Sequence, residues 1–226
     1  MRVLAVVPAY NERARIGGVI YALRSYVDEI LVIDDGSTDT TAEVAMAAGA
    51  KVVSHTINRG QGAALETGFT WARRHRSDGV DIVVTFDADD QHNPADIPAL
   101  LKPLLLGEVE VALGNRFLSS VQIPRSRKFV LYLAGVLTKI LFGKRFTDSH
   151  NGLRAISANA LQVVSLRQRR MAHATEFIGA VVANNLSYRE VPVVIKYTAY
   201  SKAKGQRALL GSIRILRDLI MARLIK

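Results

Sequence analysis

The residues best suited to chemistry lie together in Asp87-Ala88-Asp89-Asp90-Gln91-His92-Asn93-Pro94, where three carboxylates and two amides fall within eight positions. They follow Ile82-Val83-Val84-Thr85-Phe86, a β-branched and aromatic run that reads as a buried strand, while Asn93-Pro94 reads as a turn opening a helix. The carboxylates therefore emerge at the C-terminal edge of a strand, where open α/β sheets bind their ligands. Side chains alternate along a strand, so Asp87 and Asp89 can point the same way while Ala88 turns into the fold. Two neighbouring carboxylates repel unless a cation sits between them, and hard oxygen ligands suit Mg²⁺ or Mn²⁺. Gln91 falls two residues further on and offers an amide oxygen to the same ion. Such an ion takes few protein ligands and shares its shell with substrate phosphates. A solvated acidic turn is the alternative reading of this segment taken alone.

These residues need a sheet to hold them, and the first half of the chain alternates strand-like and helix-like segments. The patterns predict strands near 2–7, 29–34, 50–54, 80–86 and 109–114, and helices near 13–26, 38–48, 60–76 and 94–106. That alternation argues for a mostly parallel sheet covered by helices on both faces, an α/β fold. The second half is less regular, with a helix expected near 126–142, a strand near 153–157, helices near 158–165 and 175–186, and a strand near 189–196. Leu209, Ile213, Leu216, Ile220 and Leu224 then mark one face of an amphipathic tail helix.

Other predicted strands also end in polar clusters. After the first comes Pro8-Ala9-Tyr10-Asn11-Glu12. Pro8 lacks a donor and is expected to end the ladder, leaving Tyr10 to stack on a base and Glu12 to accept hydrogen bonds from a base or ribose. After the second comes Asp34-Asp35-Gly36-Ser37-Thr38-Asp39. Gly36 permits a tight turn and Ser37 to Asp39 can cap the next helix, but capping leaves the Asp34-Asp35 doublet unexplained, so one carboxylate is expected to be free for a ligand. The third leads to Asn58-Arg59-Gly60-Gln61-Gly62, a helix start that could face a phosphate or be a structural turn.

The chain has 226 residues, 49% of them hydrophobic, enough for one sizeable core. It contains no cysteine, so disulfides and thiolate metal sites are excluded. Met1 leads straight into a strand-like run, so no signal peptide is expected. The longest apolar candidate, 129–142, is short and carries Lys139, so no spanning helix is expected. The net charge is +10, and the basic excess gathers after Arg116. Carboxylates in the first half and cations in the second suit a bound polyanion such as a nucleoside diphosphate; an anionic membrane or nucleic acid would fit the charge equally.

Taken in order, Val7-Pro8-Ala9-Tyr10-Asn11-Glu12, Asp34-Asp35-Gly36-Ser37-Thr38-Asp39, Arg59-Gly60-Gln61-Gly62, Asp87-Ala88-Asp89-Asp90-Gln91-His92 and Gly114-Asn115-Arg116-Phe117 resemble the signatures of family 2 glycosyltransferases. The likeness covers nearly the whole chain and is closest to the polyprenyl-phosphate, dolichyl-phosphate mannose synthase-like branch. It implies a glycosyltransferase A-type fold, with a catalytic domain over 1–205 (a nucleotide-sugar half, 1–116, and an acceptor half, 117–205) and an amphipathic C-terminal helix over 206–226. It implies a metal-dependent, inverting transfer of a sugar from a nucleotide diphosphate-sugar to a polyprenyl phosphate. By the same resemblance Pro8, Tyr10, Glu12, Asp35, Asp87 and Ala88 hold the donor, Asp87, Asp89 and Gln91 hold Mg²⁺ or Mn²⁺, and Arg116 sits between the donor and acceptor phosphates, with Asp89 and Arg116 serving catalysis.

In the acceptor half, Arg125-Ser126-Arg127-Lys128 places cations at a predicted helix N-terminus, against the macrodipole. With a phosphate bound there they become useful, and Ser126 and Arg127 are the expected acceptor contacts. The family pattern has a hydroxyl where this chain has Leu131. Tyr197 to Gln206 resembles a family lid, whose Lys202 or Lys204 would neutralise the leaving diphosphate. Asp148 is the first choice for a general base, followed by Glu176 and His150. A hydroxyl acceptor needs such a base, whereas a lipid phosphate is already anionic and needs only positioning. The tail helix can lie in a membrane interface or pack on protein. The expectation is a peripheral enzyme at the cytoplasmic face of the membrane, with a small membrane protein or a second copy as partner.

Three alternatives stand beside this reading. The acceptor could be a glycan or soluble hydroxyl, with Asp148 as base. The chain could be a non-catalytic sugar-nucleotide binder, against which the intact Asp87, Asp89 and Gln91 set argues. It could bind nucleic acid through its basic half, but no aromatic-interleaved motif accompanies the charge, and nucleic acid is not expected as a partner. A nucleotidyltransferase would need a Gly-rich, Arg-containing loop where Pro8-Ala9-Tyr10-Asn11 stands.

Overall fold

The computed structural model describes residues 1–119, 132, 135–136, 138–140, 143–144, 146–168 and 172–196. Ser126, Arg127, Leu131, Lys202, Lys204, Tyr197 to Gln206 and the tail helix lie outside the described residues, as does most of the helix expected at 126–142.

Seven strands form one sheet: β1 (Arg2–Ala9), β2 (Glu29–Asp34), β3 (Lys51–Ser54), β4 (Val80–Thr85), β5 (Val111–Asn115), β6 (Arg154–Ser157) and β7 (Tyr188–Pro192), in the order β3-β2-β1-β4-β6-β5-β7. The helices are α1 (Ile16–Leu23), α2 (Thr41–Ala47), α3 (Gln61–Arg74), α4 (Ile97–Leu105), α5 (Ala158–Leu161) and α6 (His173–Ala183), each starting or stopping a few residues from its sequence-predicted bounds. Every pairing is parallel except those of β6, which runs antiparallel to both β4 and β5. β6 thereby enters the middle of the sheet, directly beside β4, the strand that leads to Asp87.

Alternation in β1 divides the core between the two faces. Val3, Ala5 and Val7 pack with Ile16, Val19, Ile20 and Leu23 of α1 and with Ile97, Leu100 and Leu104 of α4. Leu4 and Val6 face Ala64, Leu65, Phe69 and Ala72 of α3 and Phe177, Ile178 and Val181 of α6. The α1 positions recur at intervals of three and four, the stripe that buries one helical face. Each fully buried Leu, Ile, Val or Phe contributes about 1.5–3 kcal/mol relative to exposure. Among the described residues no helix is long and apolar enough to cross a membrane.

Pro8 departs from expectation. β1 runs on to Ala9 and stays paired with β2 through Pro8↔Ile33 and Ala9↔Asp34, but its pairing with β4 stops at Val6↔Thr85. Phe86 N still donates to Val6 O at 3.1 Å. In a parallel ladder alternate residues face the same neighbour, so Pro8, with no N–H, turns toward β4. It ends that one ladder and leaves the other intact, and the two strands part at the site.

Candidate active site

Where β1 and β4 separate, a cavity of about 500 Å³ opens at the C-terminal edge of the sheet. Pro8, Tyr10, Glu12 and Asp35 line one part of it, and Asp87, Ala88 and Asp89 another. Tyr10 is 44% exposed, leaving its ring accessible, whereas Glu12 and Asp35 are buried. β4 ends at Thr85, and Ala88 and Asp89 lie in the turn that follows. Asp87 and Asp89 thus both reach the cavity through the turn and not, as expected, through strand alternation, and Ala88, packed in the core, also lines it.

The loops after β1 and β2 are tied to each other. Asn11 N donates to Ser37 Oγ at 2.9 Å, and Asn11 Oδ1 accepts from Thr38 N at 2.9 Å. Ser37 and Thr38 thus lock two loops together, while Asp39 Oδ1 accepts from Thr41 N, at the first position of α2, at 3.0 Å. Gly36 has φ +71°, and a Cβ there would sit 2.5 Å from the Ile57 carbonyl carbon, so only glycine fits the turn.

Neither carboxylate of the Asp34-Asp35 doublet is free, contrary to expectation. Asp34 Oδ1 accepts from Ser37 N at 3.3 Å. Asp35 Oδ1 accepts from Arg59 N at 2.9 Å and meets His55 Nδ1 at 2.7 Å, and Asp35 Oδ2 accepts from Gly60 N at 2.6 Å. Asp35 therefore shapes the turn into α3 while lining the cavity.

At the other end Asp87 is held on both oxygens. Gln61 Nε2, at the start of α3, donates to Oδ1 at 2.9 Å, and His92 Nε2 lies 2.9 Å from Oδ2. Asp89 is braced from within its own loop, since Gln91 donates to it through N at 3.2 Å and also through Nε2. Gln91 thus turns its amide nitrogen, not its oxygen, to Asp89 and is not among the residues lining the cavity. Asp90 takes φ +59°, a conformation Asp tolerates better than most residues. Among the described residues no cluster of three His, Cys, Asp or Glu side chains could hold a metal by itself. Two carboxylates facing a roomy cavity nevertheless match a hard divalent ion that draws its remaining ligands from substrate phosphates.

Arg116 and Asp148 form a separate buried unit. Asp148 Oδ2 accepts from Arg116 N at 2.9 Å, Arg116 Nε at 2.7 Å and Asn151 Nδ2 at 3.0 Å. The two side chains are 6% and 0% exposed, and Asp148 Oδ2, shared by these three donors, positions Arg116. Glu176, the second candidate base, is also committed: its oxygens accept from Arg167 N at 2.9 Å and Gln168 N at 2.8 Å, fixing the loop before α6. His150 meets Ser149 Oγ at 3.1 Å. Burial, aided by the nearby Arg154 cation, lowers its pKa to about 4, so near neutral pH it is uncharged.

The sequence reading missed three contributors: Gln61, His55 and Arg154. Arg154 is buried on β6, donates to the Asn151 and Ser149 carbonyls at 3.0 Å and lies 4.4 Å from the Phe177 ring centroid. Burial lowers its pKa to about 10, opposed by the charges of Asp87 and Asp148. Gln61 stood in a quoted motif, but nothing local paired it with Asp87; His55 and Arg154 carry no local signal.

The family model described as Glycosyl transferase family 2 matches residues 4–164. A UDP-N-acetylglucosamine–dolichyl-phosphate N-acetylglucosaminyltransferase from Methanococcus voltae is 33% identical over 242 aligned residues, covering 97% of this chain and 95% of its own. An undecaprenyl-phosphate mannosyltransferase from Micrococcus luteus is 32% identical, over 74% of this chain and 70% of its own. Among solved structures, glucosyl-3-phosphoglycerate synthase from Mycobacterium tuberculosis, crystallised with Mn²⁺, UDP-glucose and phosphoglyceric acid, superposes with a TM-score of 0.67 at 26% identity, over 89% of this chain and 74% of its own.

Proposed function

The chain belongs to glycosyl transferase family 2, and from that premise we propose that it moves a sugar from a nucleoside diphosphate donor to a polyprenyl phosphate, with inversion at the anomeric carbon. The observation that carries this reading is one cavity that joins Tyr10, Glu12 and Asp35 to the carboxylates Asp87 and Asp89. Tyr10 offers a ring to the base, Glu12 an acceptor for base or ribose, and Asp35 holds the turn that closes this part of the pocket. Asp87 and Asp89 hold Mg²⁺ or Mn²⁺, which neutralises charge on the departing diphosphate. Gln91 supports this pair by bracing Asp89.

The lipid acceptor is supported by the names of the two full-enzyme relatives and by the chemistry around Asp148. A phosphate monoester is already anionic and needs no proton removed, which agrees with Asp148 being buried against Arg116. Arg116, with Ser126 and Arg127, meets the acceptor phosphate, and Lys202 or Lys204 meets the leaving diphosphate. In this reading the protein works peripherally at the cytoplasmic face of the membrane, with the apolar and basic residues of its 206–226 segment against lipid, a small membrane protein or a second copy.

The test is transfer from a panel of radiolabelled sugar nucleotides to short polyprenyl phosphate, with and without Mn²⁺ or Mg²⁺. A chloroform-soluble product that disappears with EDTA and with Asp89→Ala, while the variant melts like the wild type, is expected. Metal-dependent release of nucleoside diphosphate with label only on a hydroxyl acceptor would overturn the lipid-phosphate reading.

A further inference from the structure

His92 is buried, 3% exposed, with its ring edge-on to Phe86 at a centroid distance of 5.5 Å. Its Nε2 meets Asp87 Oδ2 at 2.9 Å, while its Nδ1 is buried and has no hydrogen-bond partner among the described residues. An unpaired buried polar atom is unfavourable, and an apolar ring would fill the same space without that penalty. The arrangement makes sense if the single bond to Asp87 matters more than the atom left unpaired. A carboxylate only accepts, so Nε2 carries the hydrogen in this bond.

The backbone fixes His92 as firmly as the side chain does. Its main chain bridges Ile195, and Lys196 N donates to Gln91 O at 2.8 Å. Lys196 Nζ lies 3.5 Å from Asp90 Oδ1. The segment after β7 is thereby laced to the loop that carries Asp87 and Asp89. On the far side of the carboxylate Gln61 holds Oδ1, and Gly152 lies so close that a Cβ there would be 2.8 Å from Asp87 Cγ. Gln61, His92 and the bare backbone at Gly152 therefore surround Asp87.

We propose that His92 is a positioning residue that fixes the Asp87 carboxylate for the divalent cation, acting through its Nε2–H bond to Oδ2. The proposal rests on the reading of Asp87 as a cation ligand. Partners of this outer kind orient the ligating group, and their loss typically weakens metal binding by about 10–100-fold.

The test titrates Mn²⁺ into the full chain and follows loss of the free-ion EPR signal, with thermal melts run alongside, for wild type, His92→Phe, His92→Gln and His92→Asn. Gln reaches the position of Nε2 and Asn does not. The expected result is Mn²⁺ affinity lower by about 10–100-fold in the Phe and Asn variants, within about three-fold of wild type in Gln, and similar melting in all. Equal affinity in all four proteins overturns the proposal, as does a Gln variant no better than Asn; that comparison still decides if the Phe variant fails to fold. A wild type that binds no Mn²⁺ overturns instead the assignment of Asp87 and Asp89 to a cation. The two failures are thus distinct.

Discussion

Replacing Asp148 by Ala separates two roles for this residue, anchor of Arg116 or general base. The substitution removes one acceptor oxygen from three donors, among them the Nε of the Arg116 guanidinium, itself 6% exposed. Removing one partner of a buried pair costs about 3–5 kcal/mol, because the remaining charge stays desolvated. A domain of this size loses about 2–4 °C of Tm per kcal/mol, so the melting point should fall by roughly 6–20 °C. Asp148→Asn keeps an oxygen for the Arg116 donors but not the charge, and its loss should be smaller. Melts followed by circular dichroism, together with steady-state transfer rates, read both properties. Transfer should fall because Arg116 is no longer held, and the residual rate should keep the wild-type pH profile, since no proton passes through Asp148. The reasoning is refuted if Asp148→Ala melts with the wild type yet loses turnover, and if the wild-type rate shows an ionisation that Asp148→Asn abolishes. That outcome would identify a base and a hydroxyl acceptor.

Gly152→Ala pushes a methyl group into the Asp87 carboxylate; overpacking of this kind costs about 1–3 kcal/mol, and both transfer and Mn²⁺ binding should drop. Wild-type Mn²⁺ affinity in that variant would show that Asp87 has room to move. His150 predicts a pH effect on stability. Its folded pKa of about 4 lies below the ordinary histidine value of 6.5, chiefly through burial, so the folded state resists the proton that the unfolded chain accepts. Stability is therefore full above about pH 6.5 and declines as the pH falls toward 4, by at most ~3 kcal/mol. Urea titrations at stepped pH should show a shallower decline in His150→Gln over this window; an identical slope would remove His150 as the cause.

Much of the site was legible because its signals are local. Alternating apolar runs mark β1, β2 and β4, and Tyr10, Glu12, Asp35, Asp87 and Asp89 follow those runs within a few residues, so a parallel sheet brings them to one edge. The second half of the chain was less legible because its strands are short and its partners distant. Nothing in Arg154-Ala155-Ile156-Ser157 announces that it will insert antiparallel between β4 and β5, since strand order depends on which edges remain unpaired once the rest of the sheet has formed.

The same division explains the errors over individual residues. Residue type alone made Asp148 and Glu176 candidate bases, but their work is set by donors 32 and 9 positions away along the chain. Pro8 by its residue type lacks a donor, yet only the register shows that the missing N–H falls on the β4 side. The sequence by itself determined the alternating α/β pattern and the chemistry at the strand ends, because both follow from backbone periodicity and residue type. Tertiary structure alone decided that Gln61 and His92 share Asp87, that Asp35 shapes the turn into α3, and that Arg116 and Asp148 are buried together, because hydrogen bonds and ion pairs between distant segments are chosen by packing and leave no periodic trace along the chain.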